Sequence, residues 1–165
     1  MSIDATAGGA SSNSFATVAE ANAYHNARLH NETWFDANTD TKERALKWAT
    51  RILDDMKWKG SKTASTQALE WPRAAVLNLN GDELDDATIP TFLINAVSEY
   101  AFELIKMDRE VDSDTKGISQ VMAGEVSVKF DKTDRPSKTP TSIYRIIKNY
   151  LASGNTGAFQ NIERA

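Results

Sequence analysis

No cysteine occurs among the 165 residues, so disulfides, thiolate zinc sites, iron–sulfur clusters and thiol nucleophiles are excluded together. The redox compartment is therefore unreadable from this chain. Histidine is nearly as scarce: His25 and His30 are the two present, and at five positions apart they do not share a helix face as an i, i+4 metal pair would. Both are expected in packing or surface roles. No stretch approaches the roughly 20 apolar residues of a membrane span, and Met1–Asn13 has neither the basic start nor the apolar run of a secretory signal. The expectation is a soluble chain, made and kept in a cytoplasm, with no membrane contact.

Chemical motifs are missing too. There is no Gly-Lys-Ser/Thr phosphate loop, no dinucleotide fingerprint and no nucleophile elbow. Two acidic stretches invite a calcium reading and fail it by position. With Gly81 as the sixth residue of a calcium loop, Val76 and Ala87 fall on the first and twelfth places, and with Gly117 sixth, Lys116 and Ala123 occupy ligand places. No catalytic residue, metal or cofactor is expected, and the chain is not expected to be an enzyme.

What is there fits one domain with a hydrophobic core and polar ends, the apolar share being 41%. The net charge of −4 opposes tight, sequence-independent binding of nucleic acid, which draws on Lys and Arg. That total conceals a division. Met1–Val128 carries 12 basic and 20 acidic residues, whereas Lys129–Ala165 carries 7 basic and 3 acidic. An acidic body with a basic end suits head-to-tail association or docking on an acidic partner, or is simply uneven solvated charge.

The periodicity predicts a mainly α fold: a bundle of about four helices with long loops, one strand or hairpin excursion, and extended tails. Residues 1–13 read as a flexible leader, 14–153 as the helical domain with the strand excursion over about 118–131, and 154–165 as a C-terminal tail. Thr17 and Glu20 have capping-box spacing and open a helix over Thr17–Leu29. Trp34 and Phe35 should pin the following loop to the core. A second helix starts near Thr41, with Asp40 as its cap and Ala45, Leu46, Trp48, Ala49, Ile52, Leu53 and Met56 at helical spacing; Lys42, Arg44, Lys47 and Arg51 make its other face basic. Pro90 opens a third, central helix ending near Met107. Over Gly124–Asp131 the period changes to alternation, with Val126, Val128 and Phe130 on one side. That strand needs a partner, either Ile118–Met122 or another chain. Ser142 caps a last short helix, and Phe159 and Ile162 are too few to order the tail. Within the long loop Lys57–Thr88, Pro72 holds Trp71 extended, as a buried anchor, with Arg73 as a candidate partner contact. Trp48, Trp58 and Trp71 could stack on bases, though aromatics so placed are core residues more often.

These residues carry a resemblance. Phe15 to His25, then Lys42–Leu53, then Gln67-Ala68-Leu69-Glu70-Trp71-Pro72-Arg73, then Ile89-Pro90 and Gly124-Glu125-Val126-Ser127-Val128 resemble, in order, a phage family labelled DnaT-like single-strand DNA-binding proteins. The match covers about Phe15–Leu151, its most specific element is Leu-x-Trp-Pro-Arg, and the Gly/Ser leader lies outside it. Members look like head-tail adaptors, and the resemblance implies a virion protein of the portal vertex, made in the host cytoplasm. It implies a homo-oligomeric ring, dodecameric by family analogy, with the portal protein and tail or nozzle proteins as partners and double-stranded DNA passing through without specific binding. Trp71, Arg73, Val126, Val128, Phe130, Tyr150, Phe159 and Ile162 are then the expected partner or ring contacts. The alternative takes the label literally: a single-strand binder using Trp58, Trp71 and the basic second helix.

Overall fold

A computed structural model describes residues 2–109, 120–123, 126–129 and 139–152. The architecture is mainly helical, as expected: α1 (Val18–Asn26), α2 (Glu32–Asp36), α3 (Thr39–Asp54), α4 (Thr91–Lys106) and α5 (Thr141–Ile147), the last running into a 3₁₀ turn at Lys148–Tyr150. Two small antiparallel sheets accompany them, β1 (Ser61–Lys62) with β2 (Arg73–Ala74) and β3 (Gln120–Ala123) with β4 (Val126–Lys129).

α1 begins where the capping box predicts: Thr17 Oγ1 accepts from the Glu20 amide while the Glu20 carboxylate accepts from the Thr17 amide. It stops three residues earlier than its apolar pattern suggests, at Asn26. The polar connection after it holds α2, whose Trp34 is fully buried and donates its indole N–H to Asn22 Oδ1 at 2.9 Å. Phe35, expected to share that pinning role, is instead 40% exposed. α3 is capped by Asn38 rather than Asp40: the Asn38 carboxamide oxygen accepts from the Thr41 amide at 2.8 Å. Ala45, Leu46, Ala49 and Leu53 bury one stripe of it, with Trp48, Ile52 and Met56 half-buried at the margin.

α4 is the centre of the molecule. It packs on α1, α2, α3 and α5, and Leu93, Ala96, Val97, Tyr100, Ala101, Phe102 and Leu104 are all buried. A helix apolar on nearly every side can be stable only when surrounded. α5 completes the bundle through Ile143 and Ile147. Its N-cap is Pro140, not Ser142.

The leader and the long loop differ from expectation as well. The leader is not free: the Asp4 carboxylate accepts from the Thr6 amide and from Ser11 Oγ, the Asp4 carbonyl accepts from the Asn13 and Ser14 amides, and Gly9 presents its carbonyl to the Ala68 amide. Ile3 packs on the core and Ser12 is buried. Short polar side chains bonding to nearby backbone impose order without any apolar period. The long loop Lys57–Thr88 is also internally paired. Residues 57–59 bond to residues 150–152 (Lys59 amide to Tyr150 carbonyl and Ala152 amide to Lys57 carbonyl, both 2.9 Å), and β1 pairs with β2 in the register Ser61↔Ala74, Lys62↔Arg73. Gly60 makes this possible. Its φ is +71°, and a Cβ there would lie 2.2 Å from the Ala74 carbonyl oxygen.

Candidate interaction surfaces

The Trp-Pro-Arg element turns inward. Trp71 is 1% exposed and Trp58 5%; their rings meet edge-on at 5.5 Å, Trp71 meets Phe92 at the same distance, and Phe92 stacks on Tyr150 at 3.8 Å. The Trp71–Pro72 bond is cis. Arg73 is spent on its own chain: Nε donates to the Lys59 carbonyl at 2.8 Å, Nη2 to the Gly60 carbonyl at 2.7 Å, and Nη1 to the Glu70 carbonyl at 3.2 Å and to the Glu70 carboxylate. Gln67 closes the knot. Its carbonyl oxygen accepts from the Ala64 amide and Thr63 Oγ1, and its amide nitrogen donates to the Leu69 and Pro72 carbonyls. The most distinctive stretch of the sequence is thus a folding device.

That placement bears on the expected contacts one by one. Trp71 is the buried anchor that the reading of Pro72 suggests, and neither it nor Arg73 is presented to a partner by this fold. Tyr150 is half-buried against Phe92 and helps hold the 57–59 segment. β4, which carries Val126 and Val128, pairs with β3 of the same chain in the register Val121↔Val128 and Ala123↔Val126. One edge of β4 is thus paired within the chain. Phe130, Phe159 and Ile162 lie outside the described residues.

His25 is fully buried between Trp34 (4.6 Å) and Phe102 (5.4 Å), with Nε2 3.1 Å from the Ser98 carbonyl. Burial pushes its pKa down to about 4. Beside it the Glu99 carboxylate accepts from Tyr24 Oη at 3.1 Å and pairs with Arg28, whose guanidinium lies over the Phe102 ring. Burial first, then the charge of Glu99, pushes the Tyr24 phenol up to about 12. These groups tie α1 to α4. No group of three His, Asp or Glu side chains able to hold a metal is found among the described residues, and none of the described helices is long and apolar enough to cross a membrane.

Two outward surfaces among the described residues border an open groove. On α3, Arg44, Lys47, Trp48, Arg51 and Ile52 follow helical spacing along one side. Arg44 and Arg51 are exposed, Lys47, Trp48 and Ile52 half-buried, and the Trp48 indole N–H has no acceptor. An open groove of about 590 Å³ beside them is lined by Trp48, Arg51, Ile52, Asp54, Asp55 and Glu70. Burial raises the Asp54 pKa, against the bond it accepts from the Glu70 amide. The other surface is a hairpin that the helical reading misses. Leu77 bridges Glu83, and the Asn78 side-chain oxygen accepts from the Asn80 and Asp82 amides at 2.8 and 3.0 Å. Gly81, at φ +90°, turns the chain. Asn80-Gly81 between leucines is the available signal for a hairpin. Leu77 and Leu79 are 56% and 77% exposed and line a second groove of about 730 Å³ with Lys59, Ala75, Asn78, Lys148, Asn149 and Leu151.

No curated protein and no solved structure matches the chain. One family model does, over residues 1–165, and it is described as "Putative DnaT-like ssDNA binding protein". It takes in the leader as well as the Phe15–Leu151 region that carries the resemblance. The chain belongs to this DnaT-like family.

Proposed function

We propose that the chain works without chemistry of its own, as an assembly subunit of the head-tail adaptor kind: a ring beneath a phage portal that joins it to the tail and lets DNA through. One observation carries this reading. A hydrogen-bonded hairpin holds out to solvent a pair of leucines, with Asp82 and Glu83 on the hairpin and Lys59 and Lys148 across the groove, a surface suited to polypeptide, while Trp58 and Trp71 are used up inside. The resemblance adds the portal vertex as the site of action, the portal and tail proteins as partners, and a dodecameric ring. Co-sedimentation of the folded protein with portal rings tests it; a chain that stays in the supernatant refutes it.

The family description favours a second reading, single-stranded DNA binding, over the adaptor. Its surface would not be the expected one. Base stacking needs an accessible ring face, and with Trp58 and Trp71 buried, Trp48 is the tryptophan beside exposed arginines, Arg44 and Arg51. The carboxylates of Asp54, Asp55 and Glu70 line the groove next to it. Fluorescence titration with oligonucleotides decides the matter. Tight quenching that falls steeply with salt and disappears in Trp48→Leu supports DNA binding, and salt-insensitive or absent quenching removes it.

A further inference from the structure

The two outward surfaces are complementary to each other. From Ala74 to Ser98 the chain holds four carboxylates, Asp82, Glu83, Asp85 and Asp86, and no basic residue; all four belong to or follow the hairpin that exposes Leu77 and Leu79. The row Arg44, Lys47 and Arg51 along α3 carries the opposite sign. Arg44 and Arg51 are exposed and, among the described residues, enter no ion pair, and between them sit the half-buried Trp48 and Ile52. Lys47 adds a further positive charge, while Glu43 flanks the row and Asp54, Asp55 and Glu70 line the groove beside it.

We propose that the hairpin tip of one copy docks on the α3 side of a second copy, Leu77 and Leu79 covering Trp48 and Ile52 while Asp82, Asp85 and Asp86 face Arg44, Lys47 and Arg51. Exposed apolar side chains gain most by covering other apolar surface, and the charges around them select orientation and partner. The hairpin is already in shape: the Asn78 side chain, the Leu84 amide bonded to the Val76 carbonyl and the Glu83 carboxylate bonded to the Ala75 amide hold it. Docking therefore orders little new backbone. The grooves beside the two surfaces share no lining residue, so one copy can dock on the next head-to-tail, the kind of contact that closes into a ring or runs on as a filament. The contact uses only surfaces of this chain and requires neither portal nor DNA as partner.

The lack of native cysteine makes the test clean. Leu79→Cys and Arg51→Cys, both at exposed positions, are prepared separately and mixed under mild oxidation. The expected result is a disulfide-linked dimer in the mixture and none with either variant alone. No product in the mixture, or equal product with each variant alone, overturns the proposal. A charge exchange gives the second readout by sedimentation of the full chain. Arg44→Glu with Arg51→Glu should weaken self-association by at least about tenfold, and mixing with copies carrying Asp85→Lys and Asp86→Lys should restore it. A wild-type chain that sediments as a monomer at its highest soluble concentration, or a charge exchange that leaves association unchanged, refutes it equally.

Discussion

Replacing Arg73 by methionine distinguishes an internal strut from a partner contact. The guanidinium makes four hydrogen bonds within the chain, to the carbonyls of Lys59, Gly60 and Glu70 and to the Glu70 carboxylate, and Arg73 is 8% exposed. A hydrogen bond to a charged group contributes about 1.5–3 kcal/mol, but these four are not additive. Lys59 and Gly60 are exposed residues, so their carbonyls can recover water. The net loss should be about 3 kcal/mol, which for a chain of this size lowers Tm by roughly 6–12 °C. Lysine keeps the charge but not the planar fork. Arg73→Lys should regain less than half of the loss. Thermal unfolding followed by circular dichroism measures both variants. If Arg73→Met melts within about 2 °C of wild type and loses binding to a partner, the internal assignment fails and Arg73 is a contact residue after all.

Other substitutions probe the same scaffold. Gly60→Ala places a methyl group 2.2 Å from the Ala74 carbonyl oxygen at a φ of +71°, and should cost more than about 2 kcal/mol in urea unfolding. Thr17→Ala removes one half of the capping box and should cost about 1 kcal/mol by the same measurement. His25 titrates near 4 when folded and near 6.5 when unfolded, so the unfolded chain takes up the proton first as pH falls. The stability that His25 contributes is present in full above about pH 6.5 and is lost as pH falls toward 4, by about 3 kcal/mol. In His25→Phe that part of the pH dependence should vanish from unfolding curves collected between pH 7 and 4.

Much of the helical frame is legible in the residues alone. Helix-forming patterns speak through local spacing, and α3 and α4 show it plainly: apolar side chains recur every three to four residues over 16 residues each. Capping at Thr17 and the opening at Pro90 are also local, since both depend on a backbone amide within one turn. The hairpin at Asn80-Gly81 is equally readable in principle, but a search for helical period passes over a two-residue turn signal. The leader escapes for a related reason. Its order comes from Asp4, Ser11 and Asn13 bonding to backbone and side chains across up to eleven residues, which no apolar pattern records.

The sequence by itself determined where the helices run, that no thiol chemistry exists, and that the described surface would carry both signs of charge. Tertiary structure alone decided the direction of each aromatic and each ion. Trp58, Trp71, Phe92 and Tyr150 are far apart in the chain and become one cluster only when residues 57–59 pair with residues 150–152. The same closure consumes Arg73 and leaves Leu77, Leu79, Arg44 and Arg51 outside. Burial is a property of three-dimensional neighbours, so a tryptophan or arginine that reads as a contact in one dimension becomes a strut once the chain supplies its own partners.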